Sequence, residues 1–287
     1  MMPIRRDLSF NLPADRLTDW HERGPYVSHF LNTLSLFFPE GERFFIHSVR
    51  HYRDQATDPV LKKAVTGFIG QEAMHGREHE EYNQLLEEAG YPIKDMEARV
   101  TKLLEKIKAN APKPVQLAAT IALEHFTAML ADKVLRDPSL QGNSDVRFAR
   151  LWKWHALEET EHKAVAYDVW DRAMGDSPAA YITRVSALVT ATLVFMRHVV
   201  EFYGIMLNHD PALPRSHFQR LRGYGTLANF LFGKPGLLRA CVPDWLSYFR
   251  PGFHPWDDDN SEFLKDIDGL VAELADYNAQ FATAEAA

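Results

Sequence analysis

Two long segments of this chain carry a face that is apolar at both ends and ionisable in the middle. Asp58-Pro59 opens one, with Asp as the cap and Pro in the first turn, and Gly90 with Pro92 just beyond closes it. Gly142-Asn143-Ser144 precedes the other, which reaches Ala173 before Gly175. In the first, positions 61, 65, 68, 72, 75, 79, 82 and 86 read Leu, Val, Phe, Glu, His, His, Tyr, Leu. In the second, positions 148, 152, 155, 159, 162, 166 and 169 read Phe, Trp, His, Glu, His, Ala, Val. Such spacing keeps each set on one side of a helix.

Two further helices share the pattern. Pro39 opens one running to about Gln55, with Phe38, Glu42, Phe45, Val49 and Tyr52 aligned. Pro112 and Pro114 open another that ends near Asp137-Pro138, aligning Leu117, Ile121, Glu124, Ala128, Ala131 and Leu135. The chain therefore reads Glu42, Glu72-x-x-His75, Glu124, Glu159-x-x-His162. With 19 Glu and 13 His in 287 residues, chance alone supplies roughly one Glu-x-x-His, so the placement on apolar faces carries the argument. The order suits two antiparallel helix hairpins joined by a longer crossover. Four carboxylates buried together repel one another, and each unpaired buried charge costs several kcal/mol. Two metal cations would neutralise them and take the imidazoles as neutral ligands. A bundle giving one Glu from each of two helices and Glu-x-x-His from each of the others is the di-iron or di-manganese carboxylate arrangement.

The expected metal ligands are Glu42, Glu72, His75, Glu124, Glu159 and His162, with Glu124 as a carboxylate bridging the metals. Glu40 competes with Glu42, but it lies in the first turn, where an acid meets the helix dipole. His79 fits its seam and is expected behind the ligands or in the pocket wall. His125 points away from Glu124. Glu158 and Glu161 leave the seam and are expected to face solvent or a basic partner. His198 and Glu201 stand either behind the ligands or as an exposed pair, and no spacing argument supports His254.

The segments Phe38-Pro39-Glu40-Gly41-Glu42-Arg43-Phe44-Phe45, Gln71-Glu72-Ala73-Met74-His75-Gly76-Arg77-Glu78-His79 and Trp154–Ala166 resemble the bacterial family labelled "predicted metal-dependent hydrolase". So do Ala122–Ala128 and Phe249–Trp256, and the resemblance covers nearly the whole chain. It implies a ferritin-like fold. The spacing His155-x-x-x-Glu159-x-x-His162 is also similar to that of the di-iron N-oxygenase acting on p-aminobenzoate. By that similarity His155 is a seventh ligand, and the i, i+4, i+7 spacing returns to nearly the same helical face.

The expected architecture is all-α: a ferritin-like four-helix bundle over 38–174, then a fifth long helix and a C-terminal helical cap over 178–287, in one domain of 1–287. Prolines at 211, 214, 235, 243, 251 and 255 cut the cap into short helices before a last one from about Asn260. A net charge of −7 gives no support to nucleic-acid binding. The single cysteine, Cys241, excludes an internal disulfide and a cysteine-based zinc site. The start has no apolar run of a signal peptide, and Val185–Met196, flanked by Arg184 and Arg197, is too short to span a bilayer. A cytoplasmic location, a small-molecule substrate, an electron-donor protein and a homodimer are the corresponding expectations. The oxygen- and nitrogen-rich ligand set suits two iron ions, or manganese, with open positions. An oxygen-activating oxidoreductase using dioxygen on a small organic substrate is the leading expectation. The alternatives are a two-metal hydrolase and an iron-storage or peroxide-detoxifying protein.

Overall fold

A computed structural model describes residues 2–214 and 216–285; Met1, Arg215, Ala286 and Ala287, among them both ends of the expected 1–287 unit, lie outside the described residues. The chain is all-α, with no strand among the described residues. Its helices are α1 (Pro25–Ser35), α2 (Phe38–Arg50), α3 (Pro59–Glu88), α4 (Ile93–Asn110), α5 (Lys113–Arg136), α6 (Val146–His162), α7 (Val165–Met174), α8 (Pro178–His209), α9 (His217–Phe232), α10 (Leu237–Ser247) and α11 (Ile267–Glu285).

Local chemistry sets the ends of the long helices. Asp58 accepts from the Val60 amide with Pro59 in the first turn of α3, and Gly90 takes the positive φ (+95°) that ends it. Asp145 caps α6 and Ser177 caps α8 in the same way. α2 packs on α3 and α5 on α6, while contacts of α2 with α5 and of α3 with α6 close a four-helix bundle. Its apolar ends are dry: Phe68, Tyr82, Leu86, Phe148, Leu151 and Trp154 are fully buried. Burying each such aromatic contributes about 1.5–3 kcal/mol. Trp20 stacks on Phe148 at 4.9 Å, so the N-terminal segment seals one end of the bundle.

The structure departs from the sequence expectations in four places. The fourth bundle helix is not continuous to Ala173 but breaks at Lys163-Ala164 into α6 and α7. No Pro or Gly marks that break, and the backbone at Lys163 and Ala164 stays in the right-handed helical region; the Lys163 ammonium reaches the Asp258 carbonyl and Asn260 Oδ1, each at 2.7 Å. The crossover is itself a helix, α4, which packs on α2 and α3 through buried Met96, Val100 and Leu104. α1 precedes the bundle, and α2 ends at Arg50 rather than near Gln55. Finally, the stretch expected to be too short for a membrane lies inside the 32-residue α8, which by length and composition is sufficient to cross one. One side of α8 packs on α1 and α5, and only a small part of its apolar stretch is buried, the rest being half-buried or exposed.

Candidate metal centre

The bundle seams deliver seven ionisable side chains to one interior point. Glu42 comes from α2, Glu72 and His75 from α3, Glu124 from α5, and His155, Glu159 and His162 from α6. All seven are buried. They fall into three overlapping groups whose donor atoms lie within 4.8 Å of one another: Glu42, His75 and His155; Glu72, His75 and Glu159; Glu72, Glu124 and His162. His162 Nε2 lies 3.1 Å from Glu72 Oε1, 3.6 Å from Glu159 Oε2 and 3.7 Å from Glu124 Oε2. The other oxygen of Glu159 lies 3.0 Å from His155 Nε2 and 3.6 Å from His75 Nδ1. It is Glu159, rather than Glu124, whose two oxygens divide between the two sides of the cluster. Gly76 permits the approach of α2, since a Cβ there would sit 3.2 Å from Glu42 Oε2.

Electrostatics makes this arrangement costly without a cation. Burial and the neighbouring carboxylates push Glu42 and Glu124 well above the usual carboxylate range. Burial lifts Glu72 to about 7 against the pull of His162. Burial also opposes ionisation of Glu159, yet His162 and His155 hold it well below its ordinary value. His162 shows the reverse: burial disfavours its cation, but Glu159 and Glu72 keep it protonated well above the usual imidazole range. Both oxygens of Glu42, Glu72 and Glu124, one of Glu159, His75 Nδ1 and His162 Nε2 are buried with no hydrogen-bond partner among the described residues. Unpaired buried polar atoms cost about 1–3 kcal/mol each. Carboxylate oxygens and imidazole nitrogens without partners, converging at one point, are a donor set that fits divalent first-row metal ions.

A polar frame fixes which imidazole nitrogen faces inward. Glu158 Oε2 lies 3.1 Å from His75 Nε2, leaving Nδ1 toward the cluster. Gln71 Oε1 lies 3.0 Å from His162 Nδ1, leaving Nε2 inward, and the Gln71 amide nitrogen donates to Glu161 Oε2 at 2.6 Å. Arg6 then ties both outer carboxylates, reaching Glu158 at 3.0 Å and Glu161 at 2.9 Å. Histidine ligands are commonly oriented by such partners. Glu158 and Glu161 do not face solvent: both are buried, and the basic partner is Arg6. Sequence reasoning missed Arg6 and Gln71. The signal for a buried Glu158 was present, because Leu151, Trp154 and Leu157 form a second apolar face of this helix, apart from the seam, and Glu158 lies on it.

The remaining histidines separate by their partners. His155 Nδ1 lies 2.8 Å from His79 Nε2, and His79 Nδ1 lies 2.9 Å from the Ser35 hydroxyl, so His79 stands directly behind His155. His125 Nε2 contacts the Asp244 carbonyl at 3.0 Å, away from the cluster. His198 bonds its own helix at the Val194 carbonyl, and Glu201 pairs with Arg99. His254 caps the turn at 255–257 and meets Asp168. Glu40 pairs with Arg43 at 2.7 Å and takes no part in the cluster.

A family model described as "predicted metal-dependent hydrolase" matches residues 4–259. The chain belongs to that family. No curated protein and no solved structure matches it. The family description corrects the leading sequence expectation: it names a hydrolase, and the oxygen-activating oxidoreductase, with its dioxygen co-substrate, is set aside. The physical reason is that Glu and His ligands without thiolate hold hydrolytic ions as readily as redox ions, so the ligand set never discriminated between the two chemistries. Metal dependence agrees with the clusters of potential ligands on α2, α3, α5 and α6.

Proposed function

We propose that this protein is a two-metal hydrolase acting on a small-molecule substrate, with Glu42, Glu72, His75, Glu124, Glu159 and His162 as ligands and His155 as a seventh. The observation that carries the reading is the set of partnerless buried carboxylate and imidazole atoms in a chain of the metal-dependent hydrolase family. Metal ions bound there would supply a nucleophilic water at neutral pH and polarise a carbonyl or phosphoryl oxygen. The donor types suit manganese, zinc or ferrous iron.

The chain's own groups support this in three ways. Glu159 spans the two sides of the cluster with one carboxylate, which suits a bridging ligand. Glu158 and Gln71 take the outer imidazole N–H groups of His75 and His162 and leave lone pairs facing inward. His79 does the same for His155, whose Nε2 points at Glu159 and Glu42. Phe38, Phe68 and Trp154 pack against these imidazoles and keep bulk water from them.

The test is a metal-stripped protein reloaded in turn with Mn(II), Zn(II) and Fe(II), then offered ester, amide and phosphoester libraries. Cleavage that follows metal content, near two ions per chain, and disappears in Glu72→Gln supports the reading. Anaerobic ferrous protein that consumes dioxygen on exposure to air, with no metal supporting cleavage of any library, refutes it.

A further inference from the structure

The chain's charge and exposed apolar surface are distributed unevenly. Residues 178–250 hold eight basic residues against three acidic ones, a net +5 in a chain whose total is −7. The three acids are occupied internally, Glu201 by Arg99, Asp210 by His29 and Asp244 by Lys133, and of the eight basic residues Arg184 is buried and Arg250 pairs with Asp257. The same stretch carries ten of the fourteen exposed large hydrophobic side chains among the described residues. Ile182, Val189, Leu193 and Val200 fall within about 20° of one line along α8, at 3.6 residues per turn. They are 60%, 40%, 68% and 68% exposed. Phe218, Leu221, Tyr224 and Phe232 are exposed on α9, and Val242 and Leu246 on α10.

These helices adjoin one another. Met196 of α8 and Val242 of α10 line one open apolar groove, floored by Phe30 and Leu34 of α1 and by Phe126 and Met129 of α5. α9 packs on α10 and α1. Each apolar stripe also carries an exposed arginine one turn away: Arg197 beside Leu193 and Val200, Arg222 beside Phe218, and Arg239 beside Val242. None of the three forms a salt bridge with a described residue. α8 is held along the body by buried Arg184, which donates to the Tyr248 and Arg250 carbonyls, so the helix lies on the molecule rather than leaving it.

We infer that the face formed by α8, α9 and α10 docks on the surface of an anionic lipid bilayer. Apolar side chains interleaved with arginines are what a helix lying in the headgroup layer requires: the former enter the acyl boundary and the latter meet lipid phosphates. A second copy is the less suited occupant. Two-fold pairing sets identical patches against each other, and Arg197, Arg222 and Arg239 would then meet the same three arginines. An anionic surface satisfies both the apolar stripes and the charge.

The test is sedimentation of the full-length, metal-loaded protein with phosphatidylcholine vesicles and with vesicles half phosphatidylglycerol, at 0.1 M salt. The protein should sediment with the anionic vesicles and remain largely in solution with the neutral ones. Each arginine at such a surface contributes about fivefold, roughly 1 kcal/mol. R197Q/R222Q/R239Q should therefore partition about a hundredfold more weakly, with unchanged helical content and metal content. L193S/V200S/F218S, which keeps the charge, should also lose binding. Wild-type protein left in solution with anionic vesicles overturns the inference, as does binding that the arginine substitutions leave intact. A stable dimer that L193S/V200S dissociates, without vesicle binding, assigns the face to a second copy and overturns it as well.

Discussion

Raising the pH from 6.5 to 8 should separate the thermal stabilities of the metal-free and metal-loaded protein. Glu72 titrates at about 7 in the folded chain against an ordinary 4.5, chiefly because it is buried. A carboxyl raised in this way contributes stability that is present below 4.5 and lost as pH rises through about 7. Between pH 6.5 and 8 the loss is about 0.8 kcal/mol for Glu72 alone. Glu42 and Glu124, raised by burial and by their neighbours, add losses of the same sign. His162, kept protonated above its ordinary range, does so too once unfolded imidazole deprotonates at about 6.5. Groups of opposite sign leave the gap unchanged: His75 and His79, lowered by burial, are neutral with or without metal across this window, and Glu159, lowered by its histidines, titrates only below 4.5. Bound metal holds the carboxylate ligands ionised and the imidazole ligands neutral at both pH values and removes their losses. Glu78 and Glu158, each at about 7 through burial, are not ligands and lose equally in both forms. The gap in Tm between loaded and stripped protein should therefore widen by at least about 2 °C, at ~2 °C per kcal/mol for a chain of this size. Scanning calorimetry with and without chelator measures it. A gap that stays constant or narrows across this window would refute the assignment of these carboxyls to the metal.

Glu159→Ala should abolish most metal binding by elemental analysis and remove the rise in Tm on adding metal; unchanged metal content counts against a bridging Glu159. Arg6→Ala leaves Glu158 and Glu161 without their cation and should cost about 3 kcal/mol in chemical denaturation, with metal affinity falling about 10- to 100-fold. A change no larger than that of an exposed control such as Arg16→Ala would remove Arg6 from the frame. Gln71→Leu takes away the acceptor at His162 Nδ1 and should weaken metal about tenfold or more in a competition titration with a chelator. Metal affinity equal to wild type would mean that His162 needs no such support.

The bundle and its inward carboxylates were legible because period and chemistry coincide: the spacing that aligns Leu61, Val65 and Phe68 also aligns Glu72, His75 and His79. Glu42 separated from Glu40 on the same ground, by the company of Phe38 and Phe45. What was not legible depends on contacts distant in sequence. Arg6 meets Glu158 across 152 positions, and no local pattern announces that pairing. The break after His162 falls at Lys163-Ala164, without Pro or Gly, so helix propensity does not register it. α4 was readable from Met96, Val100 and Leu104, but a crossover expectation took its place. The activity was illegible for a different reason, since one set of oxygen and nitrogen ligands serves both redox and hydrolytic ions.

The buried acids sort themselves by how the chain neutralises them. Glu78 has Arg77, Asp132 has Lys133 and Arg136, Glu158 and Glu161 share Arg6, and Asp210 has His29. Glu42, Glu72, Glu124 and Glu159 have no lysine or arginine within salt-bridge distance among the described residues, and only the cluster's own histidines approach them. A chain that supplies a cationic side chain or imidazole to every buried acid outside the cluster, and neither lysine nor arginine to the four within it, is built to receive positive charge from elsewhere. Arg6 shows how close that boundary runs: it neutralises the two carboxylates behind His75 and Gln71 and stops short of the four in front. Placing an arginine inside the cluster would satisfy those carboxylates and exclude the metal. The missing internal cation is therefore as much a part of the proposed site as the carboxylates themselves.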